Sequence, residues 1–196
     1  MTFAAESFES LRERARQDMH NRALRSMQES AIRSMRESAV ESRHSSMSDQ
    51  ERMGSLTPCY IFDVDSTLID VSHLLHLVKG SLDQFHARAE VEAKAIAETI
   101  HTANRLYDQG EQVIVLTVRA EEWRATTTRT LMRLGVRFTH LQMRTNGDDR
   151  DDVEVKRSGL DVLRAQGLTP YAAWEDNPEV AAMMRAEGLT VTLVTA

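Results

Sequence analysis

The sequence predicts a doubly wound α/β fold, in which helices cover both faces of a parallel sheet. From Tyr60 onward, short apolar runs alternate with amphipathic helical stretches, and repeated strand–helix–strand order is typical of parallel sheets. The apolar runs are also nearly continuous, as in strands that are buried on both faces. We therefore expect one α/β domain at residues 56–196.

Five runs are strand candidates and three longer stretches between them are helix candidates. The strand candidates are Cys59–Val64, Gln112–Val118, Arg137–Met143, Tyr171–Glu175 and Thr190–Thr195. The helix candidates are residues 121–134, 153–165 and 178–187, and they end close to Gly135, Gly167 and Gly188. Glycine just after the last helical turn is a common termination signal.

Residues 71–108 interrupt this rhythm between the first and second strands. The stretch consists almost entirely of helix-forming residues and contains no strand candidate. We expect it to form a small helical cap over the edge of the sheet, where it would influence the choice of substrate.

Residues 1–55 differ in character from the rest of the chain. The heptapeptide RSMQESA at residues 25–31 recurs as RSMRESA at residues 33–39, and apolar residues recur at spacings of three to five. This pattern predicts a weakly amphipathic helical extension. Two interpretations stay open, a solvated or partly disordered helix and a helix for self-association or docking to a partner. Residues 45–58 have the composition of a linker.

Composition excludes several classes of protein. A net charge of −6 with only three lysines argues against a protein that coats nucleic acid. The single cysteine, Cys59, rules out an intrachain disulfide. No apolar run reaches the roughly 18–20 residues of a membrane span, and the N-terminus lacks the pattern of a signal peptide. We expect a cytoplasmic protein without membrane contact.

Polar residues follow the predicted strands at the edge where ligands bind in open α/β sheets. They are Asp63 and Asp65 after the first strand, Thr117 and Arg119 at the end of the second, Glu175 and Asp176 at the end of the fourth, and Lys156 near the start of a helix. Clustered carboxylates repel one another unless a hard cation such as Mg²⁺ joins them. We expect Mg²⁺ ligands from Asp63, the main-chain carbonyl of Asp65, and the acidic pair Glu175 and Asp176.

This set of residues has a logic for phosphoryl transfer. With Lys156 and the cation neutralising a bound phosphate, Asp63 could attack phosphorus and form an aspartyl phosphate. Asp65 would give a proton to the departing hydroxyl and later take one from water. Thr117 would hold the transferring phosphoryl oxygens.

The motifs resemble a known superfamily. DVDSTL at residues 63–68, then Thr117, Lys156 and the Glu175–Asp176 pair, are similar in order and spacing to the four-motif signature of the haloacid dehalogenase (HAD) phosphohydrolases. LQMRTNGDDRDDVEVK at residues 141–156 and VAAMMRAEGLTVTLV at residues 180–194 look like the 3′-phosphatase domain of bacteriophage-type polynucleotide kinase/phosphatases.

The resemblance implies a Rossmann-type phosphatase that uses Mg²⁺ to remove a 3′-phosphate from nucleic acid or a nucleotide. By motif, Arg119 and Asp152 fall on functional positions of that family. We expect Arg119 and Arg144 to contact substrate, with Asp152 orienting an arginine; a simple surface charge is the alternative for both arginines. No phosphate-binding G-x-x-x-x-G-K-[ST] motif occurs, so no 5′-kinase activity is expected from this chain.

The chain departs from the family pattern at four positions. Ser66 stands at a usual glycine, Val118 at the glycine of a Ser/Thr-Gly-Arg motif, and Leu74 and Asn177 at frequent arginines. Three functions therefore stay open. They are a 3′-phosphatase for nucleic acid ends or nucleotides, a phosphatase for a small phosphomonoester such as a nucleoside monophosphate, and a phosphatase subunit docked through residues 1–55 to a partner repair enzyme.

Overall fold

The computed structural model describes residues 57–195. In chain order the strands are β1 (Thr57–Phe62), β2 (Ile69–Asp70), β3 (Lys94–Ala95), β4 (Gln112–Ala120), β5 (His140–Arg144), β6 (Leu168–Glu175) and β7 (Thr190–Leu193). The α-helices are α1 (Leu75–Val78), α2 (Leu82–Glu92), α3 (Ala97–Asp108), α4 (Arg124–Arg133), α5 (Asp152–Ala165) and α6 (Pro178–Ala186). Short 3₁₀ turns at Ser72–Leu74 and Glu121–Trp123 precede α1 and α4.

A five-stranded parallel sheet forms the centre, with strand order β5-β4-β1-β6-β7. Alternate residues of β1 enter two separate apolar clusters, Phe62 on one face and Ile61 on the other. Helices α2, α3 and α4 contribute to the first cluster, and α5 and α6 to the second. The predicted doubly wound α/β fold is thus confirmed.

All five predicted strands are present, although each differs from its predicted bounds at one end or both. Strand β1 ends at Phe62, which places Asp63 just beyond the sheet rather than inside it. Strand β5 begins at His140, three residues later than predicted. The helix predicted from residue 121 starts with a 3₁₀ turn and becomes α-helical at Arg124. Gly135, Gly167 and Gly188 adopt left-handed backbone angles directly after the helices, as their positions predict.

The stretch at residues 71–108 contains one strand that sequence reasoning did not anticipate. Lys94–Ala95 pairs antiparallel with β2 over two residues, a length too short to leave a pattern in the sequence. The last part of the stretch, α3, buries Ile100, Ala103 and Leu106 in the same apolar cluster as Phe62. Helix α3 therefore covers the central sheet.

The assignment of residues 71–108 as a cap, with these bounds, stays a prediction. The predicted helical extension and its boundary near residue 55 lie outside the described residues. Within residues 57–195, none of the helices combines the length and apolar character that a membrane span requires.

Candidate active site

The chain turns sharply after β1, and this turn presents the first two aspartates. The amide of Asp63 still donates to the carbonyl of Trp174 on β6, at 3.0 Å. The amides of Leu68 and Ile69 then both donate to the carbonyl of Val64, which closes the turn. Ser66 has a φ of 59°, a left-handed conformation that glycine adopts more easily. The turn leaves Asp63 buried at the carboxyl end of the sheet.

Lys156 reaches the same place from helix α5. Its side chain is almost fully buried, and its Nζ donates to Oδ1 of Asp63 at 2.5 Å, to Oε2 of Glu175 at 3.0 Å and to the carbonyl of Leu116 at 2.6 Å. An ammonium group has three N–H donors, so all three are used. Lys156 therefore joins β4 and the end of β6 to the residue that follows β1.

An irregularity in β4 makes the carbonyl of Leu116 available. The register between β4 and β5 shifts between Leu116 and Ala120, and such shifts leave backbone groups unpaired. Lys156 takes the carbonyl of Leu116, and Nε of Arg144 takes that of Val118 at 2.9 Å. Helix α5 lies close to this strand because Gly159 has no side chain; a Cβ there would come within 2.5 Å of Leu116 Cδ1.

Three carboxylates cluster around Lys156. Asp63, Glu175 and Asp176 each offer an oxygen, and these atoms lie within 4.8 Å of one another. The amide of Asn177 donates to Oε1 of Glu175 at 3.1 Å. When ionised, the three carboxylates and the one ammonium carry a net charge of −2. An all-oxygen donor set with this charge fits a hard divalent cation such as Mg²⁺, so the residues present can hold a metal.

The pKa values of these groups also indicate that the cluster lacks positive charge. Burial raises the pKa of the Asp63 carboxyl above its usual range, although Lys156 acts against this rise. Burial and the nearby charge of Glu175 raise the pKa of Asp176. Burial opposes the charge on Lys156, but Asp63 and Glu175 outweigh it and raise the lysine pKa. Lys156 is therefore a permanent cation that only partly compensates the cluster.

Asp65 lies outside this cluster and pairs with Arg119. Nε and Nη2 of Arg119 donate to the two carboxylate oxygens of Asp65, each at 2.7 Å. Nη1 of Arg119 donates to Thr127 Oγ1 at 3.3 Å, and the guanidinium lies 5.5 Å from the ring centre of Phe85. Three of the five N–H groups are thus engaged within the described residues, and two remain for a ligand. Metal ligation by Asp65 and substrate contact by Arg119 stay predictions.

Thr117 is buried in β4, the strand next to β1 in the sheet order. Its Oγ1 accepts a hydrogen bond from the amide of Arg119 at 3.2 Å. The hydroxyl proton is not used by this contact and can still be donated to a bound oxygen. The predicted role in holding phosphoryl oxygens fits this position.

Arg144 and Asp152 lie together, as the motif suggested. Nη2 of Arg144 donates to Oδ1 of Asp152 at 2.6 Å, and Nη1 donates to the carbonyls of Asp148 and Arg150 at 3.1 and 2.8 Å. Arg144 therefore stabilises the loop before α5, the helix that carries Lys156. Contact of either residue with substrate stays a prediction.

The structure also brings together three ring-bearing residues that the sequence by itself did not mark as part of a site, Phe85, His86 and Trp123. His86 is buried and stacks on Trp123, with ring centres 4.3 Å apart. Burial and the charge of Arg119 lower the pKa of His86 to about 4, so the imidazole is neutral. Its neighbour Phe85 contacts Arg119. The sequence signal that could have indicated this group is the pair of adjacent ring-bearing residues, Phe85 and His86, on one helix.

Two further positions of interest have structural tasks. Leu74 is fully buried in the apolar core. The side chain of Asn177 accepts hydrogen bonds from the amides of Glu179 and Val180 and so caps the start of α6. Because both side chains already have these structural tasks, neither takes the place of the substrate-binding arginine that the family resemblance suggests at its position.

Comparisons with known proteins agree with this geometry. The family model of the polynucleotide kinase PNKP phosphatase domain matches residues 57–196. A comparison with curated protein sequences gave no match. The domain is a HAD-type phosphatase, since the family match and the fold of its structural neighbours agree.

The structural neighbours include chains of two larger assemblies. One, from the Pnkp1/Rnl/Hen1 complex, has a TM-score of 0.60 and 22% identity over 71% of this chain and 46% of that chain. Another, from the Pnkp1/Rnl/Hen1 RNA repair complex, has a TM-score of 0.61 and 23% identity over 72% and 43%. The class C acid phosphatase from Bacillus anthracis has a TM-score of 0.50 and 20% identity over 66% and 56%. These likenesses show the fold alone, and this chain spans less than half of the chains in the two complexes.

Proposed function

The chain belongs to the family of polynucleotide kinase PNKP phosphatase domains, and from this premise we propose that it is a Mg²⁺-dependent phosphatase that removes 3′-phosphates from nucleic acid ends or nucleotides. The observation that carries the proposal is the cluster of Asp63, Glu175 and Asp176 around the buried Lys156. When bound by these carboxylates, the cation would neutralise charge on the substrate phosphate.

The first half-reaction transfers the phosphoryl group to the protein. An oxygen of Asp63 attacks phosphorus while the bond from phosphorus to the 3′-oxygen breaks. Lys156 holds Oδ1 of Asp63 by a hydrogen bond, which fixes the direction of the carboxylate. The departing oxygen takes a proton from Asp65, and Thr117 donates a hydrogen bond to the phosphoryl group.

The second half-reaction releases phosphate. Asp65, now a carboxylate, takes a proton from a water molecule that attacks phosphorus, and the bond between phosphorus and Asp63 breaks. Arg119 already binds both oxygens of Asp65. Each carboxylate oxygen keeps a second lone pair, so the pair leaves Asp65 able to exchange a proton.

Activity on a panel of phosphorylated substrates tests this proposal. The panel holds a 3′-phosphorylated oligonucleotide, its 5′-phosphorylated isomer and free 3′- and 5′-nucleotides. We expect phosphate release from the 3′-phosphorylated substrates with Mg²⁺, and its loss in Asp63→Asn. Asp161→Asn, an exposed position on α5, is the control and should keep full activity. Release from 3′ ends by Asp63→Asn would show that the nucleophile is another group.

A second candidate keeps the chemistry but takes a small phosphomonoester such as a nucleoside monophosphate. Leu74 is buried in the core and Asn177 caps α6, although the family resemblance suggests arginines at both positions. Without these two arginines, fewer cationic contacts to a nucleic acid strand are expected, which favours the small substrate. The same panel separates the two candidates, because the second predicts equal or greater activity on free nucleotides than on oligonucleotides.

A third candidate is a phosphatase subunit that associates with a repair partner. The neighbours in the Pnkp1/Rnl/Hen1 complexes support a phosphatase that works beside other enzymes, and residues 1–55 are the segment we propose for docking. Deleting those residues should abolish association with a kinase or ligase partner or with a second copy, and leave phosphatase activity unchanged. Unchanged mass in solution and unchanged partner binding would contradict a docking role.

A further inference from the structure

Three elements surround the guanidinium of Arg119. Asp65 comes from the turn after β1 and binds Nε and Nη2; Thr127 comes from α4 and binds Nη1; Phe85 comes from α2 and presents its ring 5.5 Å from the guanidinium carbon. Arg119 itself is 5% exposed. A desolvated cation over an aromatic face is held more strongly than an exposed one. The position of Arg119 therefore depends on where α2 lies.

Helix α2 is fastened to α4 by two arginines. Nε and Nη2 of Arg133 donate to the carbonyls of Glu90 and Ala93, at 2.7 and 2.9 Å. These carbonyls lie at the end of α2, where helix carbonyls lack intrahelical partners. Nε and Nη2 of Arg129 donate to the two carboxylate oxygens of Glu90, at 2.6 and 2.9 Å. The two arginines form a latch between α2 and α4.

A second aromatic contact joins the same parts of the chain. His86, the residue after Phe85, stacks on Trp123 at an interplanar angle of 21°, and Trp123 ends the 3₁₀ turn that leads into α4. Both ring-bearing residues of α2 thus contact residues next to α4 or Arg119. Helix α2 has one defined position relative to the site.

We propose that helix α2 is a positioning element of the active site: Phe85 holds Arg119 in place, Arg119 holds the carboxylate plane of Asp65, and the Arg129–Arg133 latch keeps α2 where Phe85 can do so. The inference rests on the proposed function, since Asp65 transfers the proton to the leaving group there. In this proposal, neither Phe85 nor the latch contacts substrate. Phe85 and the latch act indirectly. By holding Arg119, they set the orientation of the Asp65 carboxylate and therefore of the lone pairs that Arg119 does not occupy.

This chain of contacts predicts a loss that depends on the leaving group. A 3′-nucleotide expels an alkoxide, which needs a proton from Asp65 as it leaves. The nitrophenolate of p-nitrophenyl phosphate is a stable anion that leaves without one. The second half-reaction is the same for both substrates, and kcat/KM reports only the first. A variant that misplaces Asp65 should therefore lower kcat/KM for the nucleotide and leave kcat/KM for p-nitrophenyl phosphate nearly unchanged. A variant that merely loosens the fold should lose both alike.

The first test compares Phe85→Leu with Phe85→Tyr in the full chain. For Phe85→Leu we expect kcat/KM for the 3′-nucleotide to fall roughly tenfold, as for a weakened general acid. The value of kcat/KM for p-nitrophenyl phosphate should stay within about twofold of wild type. Phe85→Tyr keeps the aromatic face and should restore the wild-type ratio of the two activities. Equal losses on both substrates, or an unchanged ratio in Phe85→Leu, would overturn the inference.

The second test addresses the latch from the surface and does not depend on a core substitution. Arg129→Ala combined with Arg133→Ala should lower the same ratio of activities as Phe85→Leu. Arg88→Ala is the matched control, because Arg88 binds Glu92 within α2 at 2.7 and 2.8 Å and does not reach α4. A wild-type ratio in the double variant, with thermal unfolding showing a folded domain, would contradict the role of the latch.

The two proposals fail in different ways. If wild-type protein hydrolyses neither substrate with Mg²⁺, the proposed phosphatase function fails. If wild type hydrolyses both and neither Phe85→Leu nor the latch variant changes their ratio, the phosphatase function stands and the positioning role of α2 is wrong.

Discussion

Lys156 donates a 2.5 Å hydrogen bond to Asp63, a residue 93 positions earlier in the chain. Both side chains are buried, and the same ammonium also binds Glu175 and the carbonyl of Leu116. These three hydrogen bonds join helix α5 to β4, to the end of β6 and to the residue after β1. One lysine thus both supports the folded sheet and compensates part of the acidic cluster.

Replacing Lys156 by methionine should destabilise the domain by about 3–5 kcal/mol, because it leaves buried carboxylates without their counter-charge. Mg²⁺ should recover part of this loss, since a cation in the cluster would reduce the repulsion between the carboxylates. Urea unfolding with chelator and with Mg²⁺ measures both effects. Lys79→Met, at an exposed position, is the control. An unchanged free energy of unfolding in Lys156→Met would show that the ion pair contributes nothing.

Removal of divalent cations should abolish phosphatase activity, and Mg²⁺ should restore it, because the charge of Lys156 balances only one of the three carboxylates Asp63, Glu175 and Asp176. Asp176→Asn should raise the Mg²⁺ concentration for half-maximal activity by at least roughly tenfold, since even groups that only orient a ligand are worth 10–100-fold in affinity. A Mg²⁺ titration of activity measures the change. Full activity in excess chelator would contradict a metal site.

Ser66→Gly should stabilise the domain by about 1 kcal/mol, because a non-glycine residue in the left-handed region carries strain of that order. Ser66 has a φ of 59° in the turn between Asp63 and β2. Urea unfolding detects the change. Arg157→Gly on the exposed face of α5 is the opposite control and should destabilise by roughly 1 kcal/mol. Destabilisation by Ser66→Gly would show that the serine side chain contributes more than its strain costs.

Gly159→Ala sets two effects against each other. Alanine favours a helix over glycine by about 1 kcal/mol, but the new Cβ would lie 2.5 Å from Cδ1 of Leu116, a buried side chain, and overpacking costs about 1–3 kcal/mol. We expect net destabilisation, measured by urea unfolding. In a Leu116→Ala background the clash disappears, so Gly159→Ala should then stabilise. A loss of the same size in both backgrounds would contradict the clash.

The neutral His86 should make stability depend on pH below neutrality. The folded-state pKa is about 4, because burial and Arg119 disfavour the charged form, whereas an unfolded histidine titrates near 6.5. Between these values the unfolded chain binds more protons, so the free energy of unfolding falls as pH falls from about 6.5 to 4. Above this window the contribution is fully present.

Urea unfolding across this range, on wild type and His86→Gln, checks the prediction. The groups that face His86 are Phe85, Trp123, Arg119 and Asp65. His86→Gln should show a flatter dependence on pH than wild type. His101→Gln, at an exposed position on α3, is the control and should follow wild type. The same slope in wild type and His86→Gln would assign the effect to other groups.

Much of the fold was predictable because its signals are local. Apolar runs and helical periodicity located the five central strands and the three helices after β4, and glycines located the ends of those helices. The two-residue pairing of β2 with β3 left no such signal. The start of β5 was placed three residues too early because residues 137–139 also have strand-like composition.

The sequence by itself determined which side chains stand at the carboxyl edge of the sheet, since order along the chain and strand ends place Asp63, Thr117, Lys156 and the Glu175–Asp176 pair there. Only the tertiary structure decided which cation serves which carboxylate: Lys156 binds Asp63 and Glu175, whereas Arg119 binds Asp65. The reason is physical. Burial and periodicity can be recognised from residues that are close in the sequence. These ion pairs depend instead on the shift in β4 and the close approach of α5 at Gly159, which arise only when distant elements pack.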